Sequence, residues 1–480
     1  MTDTPPLMLF NSLTRQLEPF QPVHAGEARV YTCGPTVYNY PHIGNMRAYV
    51  FADVLGRTLS FKGYQLKHVI NITDVGHLTD DADAGEDKLE QAAKANAQSI
   101  WEIAKHYTEA FWADIKALNI REPMQWSVAT DYIPKMIAFA ESIAEQHCYE
   151  LAGGLYFDTS TVADYGRLAR ANTDEGANEL GARIEAVDGK RQAADFAIWR
   201  KTPLGESRQM EWDSPWGKGA PGWHLECSVM SGQLLGFPFD IHTGGIDHRE
   251  IHHPNEIAQN QAFCHSEASG ANIWMHNNFL VERSGKMSKS SGEFLRLQLL
   301  IDKGYHPLAY RLMCLQAHYR SELEFSWEGL QAAMVRLKRI IMGIERLQSK
   351  VASEPPGTGD MSIRQIDEAI SDDLNTPRIL ENALLISEAK GYAADRLAAI
   401  FECDKVLGLN LETLTRTDLR IRPATATITE PEIEAILAQR DDARAAKDFA
   451  TSDRLRDELA AQNVEVMDGD PLGWDWKLEA

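Results

Sequence analysis

Long apolar runs are absent from this chain of 480 residues. No stretch approaches the roughly 18–20 apolar residues that span a bilayer, so we expect no membrane partner. The N-terminal segment lacks a basic region followed by an apolar run, and we therefore expect no signal peptide. Cysteine is scarce as well. The six scattered residues do not form the pattern of a disulfide framework, and they favour a reducing, cytoplasmic location.

Basic residues are also few, with 48 Lys and Arg against 70 Asp and Glu and a formal net charge of −22. Nucleic-acid binding requires Lys and Arg that neutralise phosphates, so this balance argues mildly against such a partner. Local patches matter more than the total, however, and two basic stripes recur at helical spacing. Each stripe is equally well explained as the solvated face of a helix. The first consists of Arg336, Lys338, Arg339 and Arg346, and the second of Arg440, Arg444 and Lys447.

Alternating strand and helix patterns predict an α/β fold with a Rossmann-like parallel sheet. Short β-prone runs at 28–32, 68–72 and 239–243 support this fold, whose ligands bind beyond the carboxyl ends of the strands. An insertion interrupts the pattern, and a helical bundle with helices over 327–347 and 376–407 follows before a small mixed module. The predicted units are 1–129 and 220–275 for the two halves of the sheet domain, 130–219 for the insertion, 276–325 for a region that contains KMSKS, 326–425 for the bundle and 426–480 for the module.

A phosphate site is predicted at HIGN (42–45), which lies between a strand and a helix. His42 and Asn45 supply hydrogen-bond donors at a helix N-terminus, and Gly44 allows the backbone to come close to a ligand. Because helix N-termini favour anions, a triphosphate is a reasonable ligand there. A structural histidine is the alternative interpretation, and the position directly after a β run favours the phosphate site.

A second phosphate-binding segment is predicted at KMSKS (286–290), which has small residues on both sides. Lys286 and Lys289 are point charges that can stabilise a developing pyrophosphate. A solvated basic loop is the alternative, but the presence of HIGN earlier in the same chain favours phosphate binding.

The dipeptide Gly244-Gly245 follows a predicted strand and leads into Asp247. Gly245 would allow a tight backbone approach to adenosine, and Asp247 is suited to accept a hydrogen bond from a ribose hydroxyl. The pattern is weak evidence alone, because Gly-Gly-x-Asp occurs in many turns.

Together these motifs resemble the class I aminoacyl-tRNA synthetases, whose signatures are HIGH and KMSKS, and more narrowly the cysteinyl-tRNA synthetase family. Asn45 stands where the family signature has its second histidine. The resemblance covers nearly the whole chain. It is carried by TCGPTVYNYPHIGN (32–45), PGWHLECS (221–228), HHPNEIAQ (252–259), KMSKS (286–290), DDLNTP (372–377) and RAAKDFATSDRLRDEL (444–459).

The resemblance implies an enzyme that activates L-cysteine with ATP and Mg²⁺ and transfers it to tRNA(Cys). The bundle would then contact tRNA, the C-terminal module would bind the anticodon, and residues 276–325 would contact the stem. Thr73 and Trp223 would line the amino-acid pocket. The catalytic residues implied are His42, Asn45, Lys286 and Lys289, and the ATP-binding residues are Gly44, Gly245, Asp247 and Lys289.

The resemblance also assigns one zinc ion per chain to Cys33, Cys227, His252 and Glu256. Thiolate, imidazole and carboxylate are all good zinc ligands, and four of them complete a tetrahedral site. We expect Pro254 at the first helical position, which puts His252 just before a helix and Glu256 in its first turn. Zinc prefers a thiolate, so it would distinguish cysteine from serine, a pair that shape alone separates by only about 10–200-fold.

Two other functions stay open from the sequence. A related ligase that joins activated cysteine to an amino sugar, as in mycothiol synthesis, shares the catalytic half but lacks a developed anticodon-binding tail. The segments DDLNTP and RAAKDFATSDRLRDEL therefore favour tRNA. A non-catalytic regulator that binds zinc and nucleotide is the other alternative, and two undamaged phosphate signatures argue against it.

Overall fold

The computed structural model of the chain describes residues 5–75, 99–169, 189–282, 285–286, 295–355, 357, 364–467, 470 and 472–478. Predictions that concern Lys289 and the side chain of Lys286 lie outside the described residues. Within the described ranges, no helix is long and apolar enough to cross a membrane.

Strands are distributed over the whole chain, and most are short. In chain order they are β1 (Met8–Asn11), β2 (Gln16–Pro19), β3 (Glu27–Thr32), β4 (Gln65–Ile72), β5 (Gln125–Val128), β6 (Cys148–Leu151), β7 (Gly154–Phe157), β8 (Phe196–Lys201), β9 (Gly219–Pro221), β10 (Phe239–Gly245), β11 (Ala271–Asn277), β12 (Leu280–Glu282), β13 (Gly285–Lys286), β14 (Leu323–Glu324), β15 (Val464–Val466) and β16 (Trp474–Trp476).

Helices dominate the C-terminal third. In chain order the α-helices are α1 (Ile43–Phe61), α2 (Ile100–Ala117), α3 (Ile133–His147), α4 (Trp223–Leu235), α5 (His252–Cys264), α6 (Leu297–Asp302), α7 (Pro307–Leu315), α8 (Trp327–Val351), α9 (Arg364–Ser371), α10 (Thr376–Glu388), α11 (Ala393–Leu407), α12 (Glu430–Ala445) and α13 (Phe449–Ala460).

A parallel sheet of five strands in the order β11-β10-β3-β4-β5 forms the centre of the fold. Its inner strands β3 and β10 are largely buried, as expected for a parallel sheet with helices on both faces. The predicted Rossmann-like sheet is therefore confirmed, and the runs at 28–32, 68–72 and 239–243 lie within β3, β4 and β10. The carboxyl ends of these three strands meet at one edge of the sheet.

A separate antiparallel sheet, in the order β6-β7-β8-β9, lies between β5 and α4 in the chain. Its first hairpin turns at 152–153, and Gly154 follows with a positive φ of 136°. This sheet falls in the region predicted as an insertion, except that β9 extends to Pro221. The boundaries at 130 and 219 remain predictions, as do the other domain limits.

The C-terminal third is helical, as predicted. The predicted helical run over 376–407 consists of two helices, because 389–392 separate α10 from α11 and Gly391 has a φ of 142°. The basic stripes are not simple solvated faces. Lys338 pairs with Asp475 of the C-terminal module, and Arg440 is 7% exposed.

One buried carboxylate joins the sheet domain to the bundle. Asp53 of α1 accepts hydrogen bonds from Arg57 at 2.7 Å and from Arg311 of α7 at 2.6 Å. The Arg311 guanidinium also donates to the carbonyl oxygens of Leu118 and of Leu407, at the end of α11. Burial alone would raise the pKa of Asp53, but Arg311 and Arg57 bring it below its usual value. Four chain segments therefore depend on this ion cluster.

We expect Asp53→Asn to destabilise the protein by about 3–5 kcal/mol, since it leaves the buried Arg311 without its countercharge. Thermal and urea unfolding, followed by tryptophan fluorescence, measure the loss. Asp114→Asn is the matched control. Burial raises the pKa of Asp114 to about 7, so an amide should cost little there. Equal stability of the two variants would contradict the role given to Asp53.

Candidate active site and metal centre

A cavity of about 330 Å³ opens at the carboxyl ends of β3, β4 and β10. This is the position expected for a ligand on a parallel sheet. The cavity brings together most of the residues selected from the sequence. Those that line it are Cys33, His42, Gly44, Asn45, Thr73, Trp223, Cys227, Gly245, Asp247 and His252.

The HIGN segment forms the N-terminus of α1 through a reciprocal cap. His42 Nδ1 accepts a hydrogen bond from the Asn45 backbone N–H at 3.1 Å, and Asn45 Oδ1 accepts one from the His42 backbone N–H at 3.2 Å. With Nδ1 as acceptor, a neutral His42 ring carries its proton on Nε2. The first turn of α1 contains no acidic residue, so the helix dipole and the N–H groups at this helix end favour an anion.

Gly245 and Asp247 line the same cavity. A short 3₁₀ turn, Ile246–Arg249, follows β10 directly and carries Asp247. A Cβ atom at position 245 would lie 2.5 Å from Asp247 Oδ1, so a larger residue there would displace the carboxylate. The cavity is thus lined by both a helix N-terminus and a carboxylate.

The four predicted metal ligands come together at the buried end of the cavity. One ligand atom each from Cys33, Cys227, His252 and Glu256 lies within 4.8 Å of all the others. Cys33 follows β3 and Cys227 lies on α4. His252 and Glu256 are one turn apart on α5, so their side chains share a face, with Nε2 and Oε1 3.2 Å apart.

A second set of possible ligands overlaps the first, consisting of Cys33, His242, His253 and Glu256. His253 Nε2 lies 3.3 Å from Cys33 Sγ, and His242 Nε2 lies 2.9 Å from Glu256 Oε2. Neither His242 nor His253 was predicted from the sequence, although the position of His253 inside HHPNEIAQ was an available signal. Local spacing alone does not distinguish i,i+3 from i,i+4 partners of Glu256.

The chemistry of this cluster fits a metal ion. Glu256 Oε1 is buried and accepts no hydrogen bond, although it faces imidazole nitrogens. Burial raises the pKa of the Cys33 thiol well above its usual value, and the neighbouring Cys227 adds to this effect. A cation would satisfy the carboxylate oxygen and replace the thiol proton. The donor set of sulfur, nitrogen and oxygen suits zinc.

The side chains of His252 and His253 are each hydrogen-bonded to another buried histidine. His252 Nδ1 lies 2.8 Å from His224 Nδ1, and His253 Nδ1 lies 2.8 Å from His276 Nε2. Burial lowers the pKa of His224 to about 3, so its ring stays neutral and can serve as a hydrogen-bond partner. Such partners commonly orient metal-binding histidines.

The predicted amino-acid pocket residues flank the cluster. The Trp223 ring lies 4.3 Å from the His252 ring, and Thr73 is buried and lines the same cavity. Thr73 Oγ1 donates to Glu226 Oε2 at 2.8 Å and accepts from Asn71 Nδ2 at 3.0 Å. Burial raises the pKa of Glu226 to about 8.

Asn71 and Glu226, which were not predicted from the sequence, connect the pocket to the thiols. Asn71 Oδ1 accepts from the Gly34 backbone N–H at 2.7 Å and lies 3.9 Å from Cys227 Sγ. A Cβ atom at position 34 would lie 1.5 Å from the Asn71 carbonyl oxygen, so only glycine fits beside Cys33. Glu226 precedes Cys227 in PGWHLECS, and this position was the available signal.

The expected start of α5 is wrong. The helix begins at His252 rather than at Pro254, so His252 is its first residue and Pro254 its third. Proline is tolerated there because the N–H groups of the first turn have no acceptor within the helix.

Comparison with protein families agrees with this geometry. The model described as tRNA synthetases class I (C) catalytic domain matches residues 19–335, and that described as cysteinyl-tRNA ligase anticodon binding domain matches residues 429–471. The chain belongs to the cysteinyl-tRNA ligase family of class I tRNA synthetases. The resemblance stated from the sequence is thereby confirmed.

Relatives within this family match along their whole length. The chain is 71% identical over 485 residues to a cysteine--tRNA ligase of Novosphingobium aromaticivorans, covering 98% of this chain and 97% of that protein. The chain is 50% identical over 514 residues to the cysteine--tRNA ligase of Zymomonas mobilis, covering 99% of this chain and 98% of that protein. A solved structure of Mycobacterium tuberculosis methionyl-tRNA synthetase bound by methionyl-adenylate has a TM-score of 0.54 at 15% identity, covering 80% of this chain and 90% of that one. At this identity the likeness concerns the fold alone.

The two overlapping ligand sets can be separated by substitution. We expect His252→Asn to lower the zinc content of the purified protein by about tenfold or more, because loss of a direct ligand costs more than loss of a neighbour. His253→Asn, one residue away on the same helix, is the matched control and should retain most of the metal. Mass spectrometry of the metal content distinguishes them. The reverse pattern would assign the ion to the set with His242 and His253.

Proposed function

We propose that the chain is a cysteine--tRNA ligase, which forms cysteinyl-adenylate from L-cysteine and ATP and transfers the cysteinyl group to the 3′-terminal ribose of tRNA(Cys). The observation that carries this proposal is a single cavity with a capped helix N-terminus, a carboxylate loop and a cluster of thiol, imidazole and carboxylate groups. Such a cavity suits a nucleoside triphosphate beside a sulfur-bearing substrate.

In the first step the cysteine carboxylate would attack the α-phosphate of ATP-Mg²⁺, and pyrophosphate would leave. His42 and Asn45 would hold the phosphates at the N-terminus of α1, with Gly44 between them. Asp247 would accept a hydrogen bond from a ribose hydroxyl, and Gly245 would allow the adenosine to come close to the backbone. Little covalent chemistry is required of the protein, so catalysis would rest on positioning and on stabilisation of charge.

Lys286 and Lys289 would stabilise the charge that develops on the pyrophosphate, with Lys289 nearest to it. This role follows from the KMSKS motif and from membership of the family. Lysine supplies a compact charge with three donors, which suits a leaving group with several equivalent oxygens.

The cysteine side chain would enter between Trp223 and Thr73. A zinc ion would act here as a Lewis acid that binds a thiolate in preference to a hydroxyl. Its ligands would be Cys33, Cys227, His252 and Glu256. Thr73 Oγ1 already donates one hydrogen bond to Glu226 and accepts one from Asn71. Its remaining lone pair would accept a hydrogen bond from the substrate ammonium group. Selection by a sulfur-binding site removes the need for a separate editing site.

Two regions are suited to tRNA. A groove of about 1460 Å³ lies between α8 and α10, and its cationic side chains could bind the phosphate backbone. The module after 429 matches the anticodon-binding model and would contact the other end of the RNA. The cationic residues of the groove are Arg336, Arg339, Arg346, Lys350 and Arg396.

Charging of tRNA(Cys) with labelled cysteine, ATP and Mg²⁺ tests the proposal directly, with serine as the competing amino acid. We expect charging with cysteine and none above background with serine. Cysteine-dependent pyrophosphate exchange without charging would replace the proposal with the amino-sugar ligase. Absence of both activities would favour the non-catalytic regulator.

We expect Lys289→Ala to lower the rate of adenylate formation by about 100-fold or more, while the affinity for cysteine changes little. The reason is that the charge acts on the transition state rather than on the amino acid. Pre-steady-state adenylate formation and cysteine titration measure the two quantities. Lys289→Arg, which keeps the charge, should retain more of the rate. An unchanged rate in the alanine variant would remove Lys289 from the mechanism.

A further inference from the structure

Arg47 is a buried cation that pairs with no carboxylate among the described residues. Its side chain lies in the second turn of α1, and the residue is 2% exposed. The guanidinium donates only to backbone carbonyl oxygens. These belong to Asn278 at 2.9 Å, Phe279 at 2.5 Å, Ser321 at 2.6 Å and His318 at 3.4 Å.

Two of these acceptors form part of the cavity wall. Asn278 and Phe279 line the cavity together with Leu280, which begins β12. The wall lies directly against the HIGN segment, since Leu280 Cβ would be 3.8 Å from a Cβ atom at Gly44. Arg47 therefore holds the part of the wall that faces the predicted phosphate site.

Helix α1 carries both the predicted phosphate-binding cap and Arg47. His42 and Asn45 cap the N-terminus of α1, and Arg47 follows less than one turn later. Further contacts fix this helix end in place. The Ile43 N–H donates to the carbonyl oxygen of Leu295 at 2.8 Å, and the Tyr310 hydroxyl donates to the carbonyl oxygen of Ile43 at 2.5 Å.

A buried guanidinium that pairs with no carboxylate is costly, so stability alone does not explain this residue. Its planar fork, however, can serve several carbonyl oxygens on two separate loops at once, which a lysine ammonium on a flexible stem does poorly. Arg311 offers a contrast within the same chain. It is also fully buried and also donates to carbonyl oxygens, but it pairs with Asp53, and none of its partners lines the cavity.

We propose that Arg47 is a positioning residue for the ATP half of the active site, which sets the cavity wall at 278–280 against the phosphate-binding end of α1. The proposal rests on the proposed function, because it assumes that ATP lies between these two elements. It assigns Arg47 no contact with substrate. The cysteine half of the site, built from Cys33, Cys227 and α5, does not depend on it.

Arg47→Lys tests the proposal, with Arg311→Lys as the matched control. Both variants keep the charge and lose the fork, so both should lower the melting temperature. We expect only Arg47→Lys to weaken ATP binding, by about tenfold in calorimetric Kd, and to raise KM for ATP in pyrophosphate exchange by a similar factor. KM for cysteine should stay within about twofold in both variants.

The Kd for ATP is read without turnover, so it tests Arg47 even if the wild-type protein shows no cysteine-dependent exchange and the proposed function fails. Unchanged ATP affinity in Arg47→Lys would overturn the inference. Equal weakening in both variants would also overturn it, because the effect would then be structural. Should Arg47→Lys fail to fold, Leu280→Ala probes the same wall without disturbing a buried charge. It should raise KM for ATP by about threefold, and no change would overturn the inference.

Discussion

The parallel pairing of β3 with β4 on one side and β10 on the other is the constraint on which the site depends. This register brings Thr32 beside Ile70 and Thr243, so the three strands end together. The Cys33 N–H extends the ladder by donating to the Thr243 carbonyl oxygen at 3.1 Å. Each chemically important group then comes directly after a strand end or from the first turns of the helix that follows. A slip of one residue in β3 would turn Cys33 away from the cluster.

The buried end of the cavity is unusual because imidazoles and thiols replace an apolar core. His224, His252, His253 and His276 are joined in pairs by ring nitrogens 2.8 Å apart. Burial keeps the pKa values of His224, His253 and His276 well below the usual range, so these rings are neutral partners. The hydrogen bonds fix the orientation of each ring before any ligand enters. A site arranged in this way loses little free energy to reorganisation when a cation or a substrate binds.

Much of this arrangement could be predicted from the sequence, because it depends on local patterns. Strand and helix periodicity predicted the sheet, whereas the ligand set Cys33, Cys227, His252 and Glu256 followed from the resemblance to the family. The choice between His252 and His253 could not be predicted from local spacing, since both face Glu256 from the same helix turn. Neither could the pairing of Lys338 with Asp475, because a basic stripe on a helix does not record which distant residue packs against it. Tertiary contacts decide such cases.

Helix α8 has a consequence for the dimensions of the molecule. Its 25 residues extend over roughly 37 Å at 1.5 Å per residue. The Lys303 ammonium lies 4.7 Å from the Trp327 ring at its start, and Lys338 near its middle pairs with Asp475 of the C-terminal module. Arg416 bonds Asp470 and Asp475 of the same module, so the attachment is stiff. These two attachments are 11 residues apart, or about 16 Å along the helix axis, so α8 fixes the distance between its own start and the C-terminal module. A ligand that contacts both attachments must span this fixed distance.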